Sequence, residues 1–478
     1  MRDFMHFNTW HIGLAVLIFA LISCKMEERI VPNNMGEFKN PLSRLVPISA
    51  SSAVLEAKTA TIDIGDIKTN NAALFNNTLS ILTANAGEQV NIKFINTISQ
   101  ESNIHWHGIL TPSSMDGHPK DVFKPNSTFN YSFKINQRAA TTWFHPHPHG
   151  RTAGQVYSGL AGLFILRDDQ EKALNLPSDE FELPILLSDK RFSADGSLDY
   201  SPTSSEIMTG YLGDRILVNN AWAPVIQVKT RMYRLRIVNG SNARIYDLAF
   251  SNNKLFYIIG NDGGLMEKPV SASHALLGPG ERLDIISDFS KEDIGTEIFL
   301  QSNANSISLH GANSFKILKF QIVSREDEKF VLPAKLSVIE ILSPSLSKRQ
   351  RAFSLPAAHM AAIGGGHTGM HTINGRAYDI NRIDESVKAG DVEIWEIDNS
   401  TGDEPHPMHI HGVQFQIIEK IGGRIEPYEK GWKDTALLKK GEKLKIIMRF
   451  PTERGIFLFH CHNLEHEDDG MMMNFEIK

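Results

Sequence analysis

Phe459-His460-Cys461-His462-Asn463-Leu464-Glu465-His466, followed by Met471, is the stretch from which the rest of the chain can be read. In an extended segment alternate side chains face opposite ways, so His460 and His462 share one face while Cys461 takes the other. One short strand can therefore serve two metal sites. Cys461, His466 and Met471, joined by an imidazole from elsewhere, form the thiolate, two-imidazole and thioether set that suits copper in an electron-transfer site. His460 and His462 would ligate a second copper cluster behind it, and their adjacency to Cys461 makes the covalent path between the sites very short.

Such a reading demands partners. Three further His-x-His pairs occur, His105-Trp106-His107, His145-Pro146-His147 and His409-Ile410-His411, and His406 lies three residues upstream of the last, the natural fourth ligand for the Cys461 copper. A lone pair of this kind is ordinarily surface chemistry or a satisfied core pair. Four pairs coupled to Cys-x4-His-x4-Met supply context for one another. One tetrahedral zinc site could not use so many ligands. Trp106 and Ile410, between paired histidines, read as core residues on the opposite strand face.

The set resembles the multicopper oxidases, specifically the three-domain laccase-like bacterial enzymes that include the copper-efflux cuprous oxidases. The resemblance covers nearly all of the chain after an N-terminal tether. It implies an all-β fold of three cupredoxin-like Greek-key β-sandwich domains and four copper ions. His406, Cys461, His466 and axial Met471 would hold the type 1 copper, and His105 and His409 the type 2 copper. Of the type 3 pair, one ion would take His107, His145 and His462, the other His147, His411 and His460. Asp116 and Glu467 are implied as carboxylates that return protons while copper returns electrons, although Glu467 could simply solvate a loop, since Glu465, Asp468 and Asp469 crowd the same segment. With those imidazole positions filled, His149 is expected to orient a ligand or serve structure, and His118 to be a surface or loop histidine.

The implied activity is one-electron oxidation of a donor at the type 1 copper, transfer through Cys461 and its flanking histidines, and four-electron reduction of dioxygen to water. Cuprous ion and phenolic or aromatic amine donors both fit. His359, Met360, His367, Met370 and His371, in a glycine-rich interval, resemble in abbreviated form the methionine-rich insertion of the cuprous oxidases and could steer cuprous ion or be a plain loop. Met472 and Met473 read as apolar positions of the last strand, and the nearby acidic residues could attract cations. Two alternatives stay in view. A copper-containing nitrite reductase shares the domain type but lacks this collection of paired histidines, and a non-enzymatic envelope or cell-division protein of the same fold loses ligands that this chain keeps.

The remaining sequence is read around that core. A length of 478 residues is ample for two or three domains, and a net charge of -6 with pI near 6.3 carries no nucleic-acid signature. With Cys24 and Cys461 the only cysteines, no disulfide framework is expected. Residues 1–23, with an apolar run from Ile12 to Ile22, read as a signal peptide, and Leu21-Ile22-Ser23-Cys24 as a lipoprotein cleavage box. The expected product is exported and periplasmic, tethered to the outer membrane through a lipid on Cys24, with a monomeric body. Residues 24–47 read as a tether, 48–168 as the first domain, 178–325 as a second without copper ligands that acts as a spacer, and 330–478 as the third. Turn-then-strand signals recur at Ala86-Gly87-Glu88, Gly280-Glu281-Arg282 and Ala389-Gly390-Asp391, and the first and last run on to a His-x-His-Gly, the mark of a duplicated unit.

Overall fold

The computed structural model describes residues 36–304, 314–358 and 369–478. The signal and lipidation readings, and His359, Met360 and His367, lie outside these residues. The chain is built from strands, with helices of five to seven residues at Thr152–Ser158, Asp169–Ala173, Ser204–Thr209 and Leu464–Asp469. Among the described residues no helix is long and apolar enough to cross a membrane.

Among the described residues six sheets form three pairs. In the first pair, strand Gln89–Asn96 alternates exposed and buried positions, so Val90, Ile92 and Phe94 face a core shared with Phe164 and Leu166 of the opposing sheet. That core also takes Trp106, as expected of the residue between two histidines. The second pair has six and eight strands around Ile185, Leu235, Ile285 and Phe320. The third joins Ser347–Ser354, Val392–Asp398, Lys443–Arg449 and Phe415–Ile421 against a five-stranded sheet holding His406–Ile410, Gly455–Cys461 and Met472–Ile477. Ile410, Met473 and Cys461 belong to its core.

The three turn signals do become equivalent turns. Gly87, Gly280 and Gly390 adopt φ of +84°, +81° and +79°, a region that favours glycine, and each feeds a strand: Gln89–Asn96, Arg282–Asp288 and Val392–Asp398.

Two readings need correction. The segment up to Pro47 is not a free tether throughout, because Asn40–Pro41 pairs in parallel with Pro224–Val225 and the Asn40 amide donates to the carbonyl of Trp222 at 2.6 Å. Polar composition concealed an edge strand. The interval left between the expected first and second domains is not a bare connection, because it contains helix Asp169–Ala173, which the Asp168 carboxylate caps by accepting from Glu171 N. Glu171 is buried and paired with Arg234 and Arg236, so the segment is part of an interdomain ion cluster.

Candidate metal centres

Antiparallel pairing of His406–Ile410 with Gly455–Cys461 sets His409 opposite His460 and Met408 opposite Cys461. The two strands together therefore send histidines to one face and the thiol to the other. Behind the thiol, His406 Nδ1 lies 3.5 Å from Cys461 Sγ, His466 Nδ1 lies 3.7 Å from it, and the two ring nitrogens are 3.2 Å apart. Met471 is buried beside them, its carbonyl accepting from Cys461 N at 3.0 Å. Burial pushes the Cys461 thiol up, away from the thiolate, a cost that a bound cation would offset.

On the other face eight imidazoles from the first and third sandwiches come together: His105, His107, His145, His147, His409, His411, His460 and His462, all buried. Their tautomers follow from their neighbours. A carbonyl can only accept, so Nδ1 carries the proton in His105, which donates to Asp116 O at 2.8 Å, in His409, which donates to Asp434 O at 2.8 Å, and in His460, which donates to Cys461 O at 3.0 Å. Each then points a bare Nε2 lone pair inward. His105 Nε2 faces His409 Nε2 at 3.4 Å, and His460 Nε2 faces His147 Nε2 at 3.4 Å and His411 Nε2 at 3.1 Å. Lone pairs so close repel unless a cation lies among them. His107 is anchored the other way round, with Nε2 bonded to Asp434 Oδ1 at 3.1 Å and Thr435 Oγ1 at 3.0 Å, leaving Nδ1 without a partner. His145 Nε2 and both nitrogens of His462 are likewise buried and unpartnered. The rings of His107, His145 and His462 are neighbours, with centroids 4.9 to 5.8 Å apart.

Burial also decides the charge. Desolvation, followed by repulsion among neighbouring rings, holds His105, His107, His147, His411 and His462 well below the usual imidazole range, and burial brings His145 to about 3. These rings stay neutral, so protons do not compete for their lone pairs. A buried donor or acceptor with no partner costs about 1–3 kcal/mol, so a dry, unfilled cluster of this kind would be poorly stable. The donor set fits copper: imidazoles at one centre, and imidazole with thiolate at the other.

Asp116 bridges two of the rings, its Oδ2 2.7 Å from His411 Nδ1 and its backbone carbonyl on His105, and burial raises its carboxyl to about 8. The run around Glu467 is not a solvated loop. Helix Leu464–Asp469 buries Glu465 and Glu467, leaves Asp468 and Asp469 half-buried, and three of the four acids accept hydrogen bonds. Glu465 accepts from Tyr200 Oη, Asn242 Nδ2 and Tyr211 N of the second sandwich, and burial raises it to about 7. Glu467 is fully buried, 3.4 Å from His147 Nδ1 and 3.2 Å from His460 Nδ1, without the alignment of a hydrogen bond. Asp468 accepts from the backbone N of Thr152 and Ala153, and Asp469 from His371 N and Nδ1.

His118 lies in a loop, as expected, but not at the surface. It is buried, with Nε2 2.9 Å from Asn474 Oδ1 and Nδ1 accepting from Lys120 N, and it ties the first sandwich to the last strand. His149 stands exposed outside the cluster, edge-on to Tyr378. Two residues cover the thiolate centre: Met208, which sequence reasoning missed, and His371, the last member of the histidine- and methionine-containing interval. Met208 O accepts from His466 Nε2 at 3.0 Å, and the His371 ring stacks on His466 with centroids 3.9 Å apart. The capping box Thr203-x-x-Glu206 foretells the helix that carries Met208, and nothing in the sequence foretells its neighbour.

Comparison with known proteins agrees with this arrangement. Family models described as "Multicopper oxidase" match residues 56–171 and 350–478. The multicopper oxidase mco of Staphylococcus haemolyticus is 36% identical over 82% of this chain and 80% of its own. The cell division protein FtsP of Dickeya dadantii is 30% identical over 80% of each chain. The McoA multicopper oxidase of Aquifex aeolicus superimposes with a TM-score of 0.85 at 33% identity, covering 92% of this chain and 99% of that one.

Proposed function

Because the chain belongs to the multicopper oxidases, copper-dependent oxidoreductases that use dioxygen, we propose that it binds four copper ions and couples one-electron oxidation of a small donor, cuprous ion before aromatic ones, to four-electron reduction of dioxygen to water. His406, Cys461, His466 and Met471 would hold the type 1 ion. His105 and His409 would hold type 2, and His107, His145 and His462 with His147, His411 and His460 the type 3 pair. The observation that carries this reading is the convergence of bare imidazole lone pairs whose other nitrogens are committed to carbonyl acceptors. Copper bound there supplies one-electron chemistry at the thiolate and multi-electron reduction of dioxygen among the imidazoles.

The chain's own groups do the rest. Cys461 lies between His460 and His462, so the two centres share one strand end. Asp116 Oδ2 accepts from His411 Nδ1, which keeps the His411 Nε2 lone pair inward, and bound copper would draw the Asp116 pKa down from about 8 toward a value at which a proton held on this carboxyl can be passed on. Glu467 faces His147 and His460 from the opposite side and is the second carboxylate positioned for proton transfer. The preference for a small donor rests on His466, which is 0% exposed beneath Met208 and His371, so a flat aromatic has no open edge of that ring to touch.

Copper stoichiometry with absorption and spin-resonance spectra tests all centres together. Four coppers, a blue chromophore and oxygen uptake with cuprous ion exceeding that with phenols are expected. Bound copper without the three-copper cluster would instead favour the nitrite reductase reading, and a metal-free protein under ample copper the non-enzymatic one, kept in view by the FtsP likeness. For location we propose export and a lipid anchor at Cys24, facing the periplasm from the outer membrane, with a monomeric body. Mass analysis of the native protein would show the acyl chains, and an unacylated Cys24 would reject the anchor.

A further inference from the structure

The second sandwich contributes no His-x-His pair, yet it reaches the imidazole centre. Of the three equivalent turns, Gly87 and Gly390 have open space where a side chain would begin, whereas a Cβ on Gly280 would stand 2.9 Å from His462 Cδ2 and 3.0 Å from His107 Cε1. The turn is pressed against two of the rings. Two residues on, Arg282 is fully buried and its donors are all taken. Nε donates to Thr141 O at 3.1 Å. Nη1 donates to Gly280 O at 3.0 Å and to Asp434 Oδ1 at 2.6 Å, and Nη2 donates to Asp262 O and to Asp434 Oδ2. Asp434 in turn takes His107 through Oδ1 and His409 through its carbonyl.

We infer that Arg282 is a positioning residue for the metal centre, holding the Asp434 carboxylate in the one orientation that anchors His107 by Nε2 and leaves its Nδ1 turned inward, while the Gly280 backbone closes the wall beside His107 and His462. The second sandwich is then a structural part of the centre rather than a spacer. A planar fork is needed because one guanidinium must grip both carboxylate oxygens and three carbonyls from separate segments, which an ammonium cannot do. The inference rests on the proposed assignment of His107 and His462 as copper ligands.

The test uses full-length protein reconstituted with copper and dialysed against a chelator. Outer partners of metal ligands are worth roughly 10- to 100-fold in metal affinity, so Arg282→Met should shed copper from the imidazole centre and alter the type 2 spin-resonance signal while the blue absorption stays. Arg282→Lys should lie between, and Gly280→Ala should give the same selective loss by a different route. Arg282→Met protein with blue absorption, four retained coppers and an unchanged type 2 signal would overturn the inference. If Arg282→Met yields no folded protein, the same comparison on Gly280→Ala decides it. Wild-type protein that never loads more than one copper would instead sink the functional proposal on which this rests.

Discussion

The thiolate centre and the imidazole centre share one strand yet are built in opposite ways. His406, Cys461, His466 and Met471 all belong to the third sandwich, brought together by one antiparallel pairing and the helix that follows it. The imidazole centre takes four rings from the first sandwich and four from the third, and is walled by a turn of the second. One centre is a property of a domain, the other of a junction. Substitutions among the thiolate ligands should therefore silence one centre and spare the other, and substitutions at the junction should do the reverse.

The largest effect is expected of Cys461→Ser. Loss of the thiolate removes the soft ligand and the link between the centres, so the blue absorption should vanish and turnover fall to background. The imidazole centre should keep its copper, measured by metal analysis and spin resonance. Loss of all copper in this variant would mean that the two centres are not separable.

Asp116→Asn probes the other centre. Positioned acid–base groups contribute roughly 10²–10⁴-fold, so reoxidation by dioxygen should slow by that order while reduction of the type 1 copper by donor is unchanged in stopped flow. The sign with pH is fixed by the donor role: the wild-type rate should fall as pH rises through the Asp116 pKa, which is about 8 before copper lowers it, and the variant should lack that fall. Equal pH profiles would reject the assignment.

The junction itself can be loosened without touching a ligand. Arg167, Arg234 and Arg236 meet Glu171, Glu182 and Asp284 in a buried, charge-balanced cluster between the first and second sandwiches. Breaking one member of a buried network leaves an uncompensated charge and costs about 3–5 kcal/mol. Arg236→Met should lower the denaturant midpoint accordingly, and copper should leave the imidazole centre before the blue absorption is lost. Coincident loss of both would show that the sandwiches unfold as one unit.

Much of this was legible in the residues. The turn-then-strand signals located the strands that hold Val90, Leu283 and Ile394, and four His-x-His pairs with Cys461 and Met471 named the residues that the fold brings together. What stayed hidden depends on which distant segment covers a side chain. Arg282 and Asp434 are 152 positions apart, and no periodicity links them. Asp468 and Asp469 look solvated in sequence because charge is normally exposed, and they are enclosed because helix Leu464–Asp469 packs against Thr152–Ser158 and Ser204–Thr209. The Asn40–Pro41 strand was missed because proline and polar residues at a sheet edge look like a loop.

His118 gives the smallest effect and the finest probe of the junction. Burial, the dominant cause, holds its imidazole down at about 4, against an ordinary 6.5 in the unfolded chain. Above pH 6.5 neither state is protonated there and the group has no pH effect. As pH falls from 6.5 toward 4 the unfolded chain takes up a proton that the folded protein refuses, so stability drops, by at most about 3 kcal/mol for a shift of this size. His118→Gln should cost about 1 kcal/mol at pH 7.5 through the weakened link to Asn474. The gap to wild type should close, and then reverse, on acidification, because the variant has no such proton to take up. Denaturant midpoints at about pH 7.5, 5.5 and 4.5, which bracket the span from the unfolded to the folded pKa, would measure it. A gap that stays constant across that range would place His118 in contact with solvent, and the first and last sandwiches would be held together by the remaining contacts alone.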